Sequence, residues 1–283
     1  MNTPKTIQIA NLHPFEGHPY QVRDDAEMDA LVESIREHGI LTPLIVRPLE
    51  DTAAEYEVIS GHRRLHAAQK AGIHEVPAFI HVVSREEAAI QLVDSNLHRE
   101  HILPSEKAFA YKLKYEAMRH QGTSSQLGTK LRSDEEMAAQ TGESRNQIQR
   151  YIRLTNLIPQ LLNLMDEGRI AFAVGVELSY LTNEEQRAVL EAIELYDCTP
   201  SYSQACRLHH DSEMMYAADT RKRIQAVLAE EKPNQRERVS FRYLDLQKFF
   251  PPNYTPKQIS EAIMRLVEDH YRQQRARRDR DAR

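Results

Sequence analysis

Strand-like runs crowd into the first 83 of the chain's 283 residues, and almost all apolar periodicity after them is helical. Ile7, Gln8 and Ile9 alternate, while residues 41–46, 56–59 and 78–83 are short apolar runs of strand length. Among them, Asp24 and Glu27 read as a capping pair for a helix with the apolar face Met28, Leu31, Val32 and Ile35, which Gly39 closes. A single sheet running through such a chain is excluded. The expected fold class is α+β. It comprises a small mixed α/β domain over residues 1–103, an all-α domain over 104–231, and a small strand-helix module over 238–283.

The helical part follows from spacing. Ala88, Ala89, Leu92 and Val93 stripe one helix, and Pro104 opens another that buries Phe109, Leu113 and Met118 as plain core. Residues 121–131 are polar and without period, as a linker is. Beyond Pro159, runs such as Leu161, Leu162, Leu164 and Met165 are amphipathic. Residues 230–238 form a second, charged linker, and 238–243 alternate like a strand. The last helix, opened by Thr255 and Pro256, carries Ile259, Ile263, Leu266, Val267 and Tyr271 along one side, for a partner subunit or the chain's own helical domain. From Arg272 the tail holds six arginines against Asp279 and Asp281 and is expected to be disordered.

Composition excludes several classes. No run of eighteen apolar residues exists, and no basic stretch followed by an apolar core marks a secretion signal, so a cytoplasmic protein with no membrane span is expected. Two cysteines make no disulfide framework. Cys198, Cys206, His209 and His210 are all zinc-ligand types, yet their spacing fits no common structural zinc pattern, and core cysteines with surface histidines explain them. With a net charge of -5, nucleic-acid contact has to come from local basic patches.

Two stretches carry chemistry. Gly61, His62, Arg63 and Arg64 join the apolar run 57–60 to a helix start, where glycine admits a ligand to the backbone, unpaired N–H groups face an anion, and two arginines add planar donors. This is a phosphate-binding corner, or else a solvated basic turn. Further on, Ser133 opens a helix, Gly142 makes a turn, and Ser144 starts a second helix presenting Arg145, Asn146, Gln147, Gln149, Arg150 and Arg153 without an acid. Arginine reads guanine and Asn or Gln reads adenine in the major groove, so this is a DNA-recognition set, the alternative being a polar surface helix.

The run from Val58 through Gly61-His62-Arg63-Arg64 to Ala68, with Ala71, Gly72, Val76 and Pro77, resembles the "GERR" signature of the ParB family of DNA-partition proteins. Asn96-Leu97-His98-Arg99-Glu100 resembles that family's "ENLQRE" segment, and 144–154 its helix-turn-helix, at about 133–154. The resemblance implies a CTP site with Mg2+, formed by Gly61, His62, Arg63, Arg64, Asn96, Arg99 and Glu100, with Gly39 and Thr42 against the base and Asn96 meeting the metal through the nucleotide. It further implies double-stranded DNA as partner, with Ser144 joining the recognition set, a homodimer, a ParA-type ATPase partner, and a clamp closed by nucleotide and DNA on the nucleoid.

Three departures matter. His62 and Ser95 stand where the family has carboxylates, which favours nucleotide binding over efficient hydrolysis, and Ala173-Val174-Gly175-Val176 replaces the "GHAR" core that supports operator contacts. A CTPase activity is therefore left open. So are two other readings: a transcriptional regulator or nucleoid factor on the same scaffold, and a nuclease-like enzyme, for which Asp94 and Glu100 are weak support.

Overall fold

The computed structural model describes residues 3–49, 54–97, 102–124, 133–214, 220–230, 246, 248–251 and 254–281. The chain divides into two compact units, Met1–Glu230 and Glu231–Arg283.

The first unit begins with β1 (Lys5–Gln8), a single 3-10 turn over Ile9–Asn11, and β2 (Leu12–Pro14). Helix α1 (Ala26–His38) leads to β3 (Leu44–Pro48), β4 (Tyr56–Ser60), α2 (His62–Lys70), β5 (Glu75–Ile80) and α3 (Arg85–Asn96). The five strands form one mixed sheet in the order β1-β5-β3-β4-β2. The outer pair β1 and β5 is antiparallel, β5 and β3 run parallel with Leu44 opposite Ala78, β3 and β4 are antiparallel, and β4 and β2 are parallel with Leu12 opposite Tyr56.

Successive strand residues point to opposite faces, and both faces of this sheet are covered. Val58, Leu44, Val46, Val76 and Ala78 pack against Met28, Val32 and Ile35 of α1 and Leu65, Ala67 and Ala68 of α2. Ile59, one residue from Val58, points the other way into Phe15, Tyr20, Ala88, Leu92 and Val93. A buried ion pair crosses the sheet where β3 faces β4. Arg47 Nε donates to Glu57 Oε2 at 2.6 Å, both residues 5% exposed, and the other Glu57 oxygen accepts from the Glu16 backbone.

The α1 cap differs from expectation by one residue. Asp25 is the cap, accepting from Met28 N at 2.9 Å, while Asp24 holds His66 and Lys70 of α2 at 2.9 Å each. Extended backbone at Asp25 is what places its carboxylate over the first turn. Two strand expectations also shift: β3 starts at Leu44, since residues 41–43 form a bend, and β5 runs Glu75–Ile80, pairing β1 from Glu75 onward.

The helical remainder of this unit comprises α4 (Pro104–Ser124), α5 (Ser133–Thr141), α6 (Arg145–Leu154), α7 (Pro159–Asp166), α8 (Phe172–Leu178), α9 (Asn183–Tyr196), α10 (Tyr202–Met214) and α11 (Thr220–Ala229). Most of it closes around one core that includes Leu154, Leu161, Leu178, Val189, Ile193, Leu208 and Ile224. Tyr111, Met137 and Ile148 form a smaller core joining α4, α5 and α6. Lys114, fully buried, donates to Asp94 of α3 and to Gln140 of α5 at 2.6 Å. The boundary expected near residue 103 thus falls between two helices, α3 and α4, that pack on each other.

Gly175 explains the glycine in the 173–176 stretch. A Cβ there would lie 2.9 Å from Met165 Sδ and 3.3 Å from Leu154, so α8 approaches α7 and α6 as closely as a bare backbone allows. The expected linker at 121–131 is helical at its start, because α4 extends to Ser124; residues 125–132 lie outside the described residues.

In the second unit, α12 (Pro256–Asp281) carries helix through most of the arginine-rich tail that was expected to be disordered. Its sequence lacks Pro or Gly after Pro256, so nothing breaks the ladder. Ile259 is buried, whereas Met264, Leu266, Val267 and Tyr271 are exposed. The expected strand at 238–243 lies outside the described residues. No described helix is long and apolar enough to cross a membrane.

Candidate functional site

The chain leaves β4 at Ser60 and turns through Gly61, whose φ of +106° is left-handed, before His62 starts α2. Two constraints make this position glycine. A side chain at that φ is strained, and a Cβ would lie 3.0 Å from Leu44 Cγ and 3.2 Å from the Arg64 guanidinium. The turn aims the first N–H groups of α2 outward, where an anion satisfies them.

Around this corner is a pocket of about 140 Å³ lined by Ser60, Gly61, His62, Arg63, Arg64, Ser95 and Asn96, with His18, Tyr20, Gln21 and Val22 from the loop before α1. Arg64 folds back to donate to the carbonyls of Thr42 and Pro43, the latter at 2.8 Å. Burial pushes its pKa down, though an arginine stays charged at any ordinary pH. Arg63 reaches the start of α1 instead, 3.2 Å from Glu27 and 3.6 Å from Asp25. Both acids are at least 43% exposed, so an incoming phosphate competes with them for Arg63 on favourable terms. The His62 ring lies on His18 with centroids 3.8 Å apart, and His18 meets Tyr20 edge-on at 5.7 Å.

Asn96 is 8% exposed and spends its Nδ2 on the Leu92 carbonyl at 2.7 Å and on Ser95 Oγ at 3.2 Å. Its Oδ1 is the oxygen left for a cation. Among the described lining residues there is no carboxylate. Magnesium is ordinarily held by one or two carboxylates together with substrate phosphates, so the described donors fit a phosphate and do not fit a resident metal. The volume takes a phosphate chain; a whole nucleotide needs several hundred Å³ and would extend beyond it.

Of the expected nucleotide residues, Gly61, His62, Arg63, Arg64 and Asn96 meet in this pocket. Gly39 and Thr42 are not in its lining: Gly39 caps α1 at φ +71°, and Thr42 meets the site only through its carbonyl on Arg64. Arg99 and Glu100 lie outside the described residues. His18, Tyr20, Gln21 and Val22 were missed, because an aperiodic loop says nothing of where it folds; a cluster of aromatic and polar side chains beside Gly17 and Pro19 was the available signal.

A second surface lies at α5 and α6. Gly142, at φ +72°, turns the chain, and Ser144 caps α6 by accepting from Gln147 N at 3.2 Å. Ile148 and Leu154 are fully buried, which fixes the roll of α6. Asn146 and Arg150 are exposed on it, with Arg150 over the Phe172 ring at 5.1 Å, while Arg153 lies 3.9 Å over Tyr180. Arg145 and Gln149 are engaged elsewhere: both donate to Asp134 of α5. Tyr180 stacks on His209 at 4.0 Å, and His209 Nδ1 is 2.8 Å from Glu177, so this histidine is bound into packing. Among the described residues no group of three or more His, Cys, Asp or Glu is placed to hold a metal.

Two family models match the chain. One described as the ParB N-terminal domain covers residues 1–97, and one described as the ParB HTH domain covers 104–198. A nucleoid occlusion protein of Bacillus cereus is 35% identical over 188 residues, which is 66% of this chain and 60% of that protein. Stage 0 sporulation protein J of Bacillus subtilis is 34% identical over 191 residues, 65% of this chain and again 60% of the relative. Among solved structures, the C-terminally truncated chromosome-partitioning protein ParB from Caulobacter crescentus, complexed with CTP-gamma-S, is 25% identical with a TM-score of 0.32, over 67% of this chain and 98% of that one. The chain thus spans about 60% of the length of the curated relatives it matches.

Proposed function

We propose, from the premise that this chain belongs to the ParB family, that it is a DNA-binding partition protein that reads double-stranded DNA with α6 and binds CTP at the Gly61 corner. The observation that carries the reading is α6 itself, a Ser144-capped helix behind a Gly142 turn that exposes Asn146 and Arg150 and bears no acid. In the pocket, the N-terminus of α2, Arg63 and Arg64 offset phosphate charge. Asn96 Oδ1, whose amide nitrogen is already spent on Leu92 and Ser95, is the oxygen we assign to an ion that arrives with the nucleotide.

A homodimer on the nucleoid completes the proposal, a second copy covering Met264, Leu266, Val267 and Tyr271 of α12. A ParA-type ATPase partner rests on the family alone. One further reading has an observation of its own. The lack of a described carboxylate in the pocket favours a DNA-binding regulator or nucleoid factor without nucleotide turnover.

Calorimetry with CTP, and with ATP, GTP and UTP as controls, tests the pocket, and fluorescence anisotropy on duplexes selected from a random pool tests α6. CTP-selective heat that Arg64→Ala abolishes is the expected result. DNA binding with no heat from any nucleotide, with or without duplex, would leave the regulator reading. Absence of DNA binding would overturn both.

A further inference from the structure

Helix α6 carries two polar stripes with different surroundings. Arg145 and Gln149, four residues apart on one face, both point at the Asp134 carboxylate in the first turn of α5. Arg145 donates through Nε, Gln149 through Nε2 at 3.3 Å, and Glu135 lies 3.7 Å from the other side of the Arg145 guanidinium. Asp134 is 3% exposed. Asn146 and Arg150, also four apart and rotated by one residue, are exposed.

We propose that Asp134 is a positioning residue that withholds Arg145 and Gln149 from DNA, so that base reading falls to Asn146 and Arg150. The proposal rests on α6 being the recognition helix. For Arg145 to reach a base edge, the nearly buried Asp134 carboxylate has to lose a charge-assisted hydrogen bond, which is costlier to break there than on an open surface. The chemistry left exposed is one amide, suited to adenine, and one guanidinium, suited to guanine, a register apart by one helical turn.

The 283-residue chain is first used to select duplexes from a random pool, and Arg145→Ala, Gln149→Ala, Asn146→Ala, Arg150→Ala and Asp134→Asn are then titrated on the selected duplex. Asn146→Ala and Arg150→Ala each weaken binding about ten-fold or more and relax preference at one position, whereas Arg145→Ala and Gln149→Ala stay within about three-fold. Asp134→Asn frees Arg145 to meet a phosphate. The slope of log affinity against log salt then steepens by roughly 0.9, and adding Arg145→Ala returns it to the wild-type value.

A merely structural salt bridge would move neither the slope nor the selected sequence. Equal losses from Arg145→Ala and Arg150→Ala overturn the proposal, as does an unchanged slope in a folded Asp134→Asn protein. Should Asp134→Asn not fold, the four single variants on α6 decide the question alone. If none of those four affects binding, what fails is the reading of α6 as the recognition helix.

Discussion

Replacing Gly61 with alanine tests whether the corner is as tightly specified as its geometry implies. Two terms add. A non-glycine residue held at φ +106° costs on the order of 1–3 kcal/mol. The new Cβ would meet Leu44 Cγ at 3.0 Å, and Leu44 is fully buried between β5 and β4, so the neighbour has little room to give. Overpacking of this kind adds about 1–3 kcal/mol. Taking about 4 kcal/mol as the middle of the combined range, and roughly 2–4 °C per kcal/mol for a unit of this size, Gly61→Ala lowers Tm by about 8–16 °C. Gly39→Ala is the internal control. Its φ of +71° with ψ of −168° is a region kept essentially to glycine, but nothing lies within 4 Å of the added methyl, so only backbone strain of about 1–3 kcal/mol applies. Differential scanning calorimetry on the two variants separates crowding from strain. The Cβ also presses on the Arg64 guanidinium at 3.2 Å, so Gly61→Ala loses the heat of CTP binding along with Arg64→Ala. A Gly61→Ala protein melting within about 2 °C of wild type, and no lower than Gly39→Ala, would refute the account of the corner.

Two other perturbations probe the scaffold. The Arg47–Glu57 pair is buried on both sides, so Glu57→Ala strands a guanidinium and costs about 3–5 kcal/mol, whereas the double change Arg47→Met with Glu57→Leu stays within about 1 kcal/mol of wild type in urea titrations. Glu185 is expected to give the helical core an acid-labile contact. Burial alone would push its carboxyl up, but hydrogen bonds from Ser212 and from Thr182, with the charge of Arg223, outweigh burial and hold it below the ordinary 4.5. A depressed carboxyl stabilises the fold fully above 4.5 and loses that contribution as pH falls through the lower folded value. Wild type therefore loses urea resistance more steeply than Glu185→Gln below about pH 4.5, and parallel curves would contradict this.

Much was legible in the residues themselves because it depends on neighbours along the chain. Apolar spacing located most helices, Gly39 and Gly142 marked turns that need a left-handed residue, and Ser144 named the start of α6. The resemblance to ParB, carried by three short motifs, agreed with the matched family models at both ends of the first 198 residues. Sequence could not show that Asp25 rather than Asp24 caps α1, since the choice turns on where Lys70 and His66 of α2 lie.

Whether a polar side chain is available is the harder question. Arg145, Gln149, Asn146 and Arg150 look equivalent as letters. Only the packing of α5 on α6, fixed by buried Met137 and Ile148, brings Asp134 to the first two and leaves the others exposed. The same holds at the corner. Gly61, Arg63 and Arg64 announced an anion site by local chemistry, but His18 and Tyr20 join it from more than forty residues away, and Arg64 is divided between that site and the 42–43 turn. Local propensity acts over a few residues and is written in the sequence; partner choice across space depends on burial and distance, which exist only once the chain has folded.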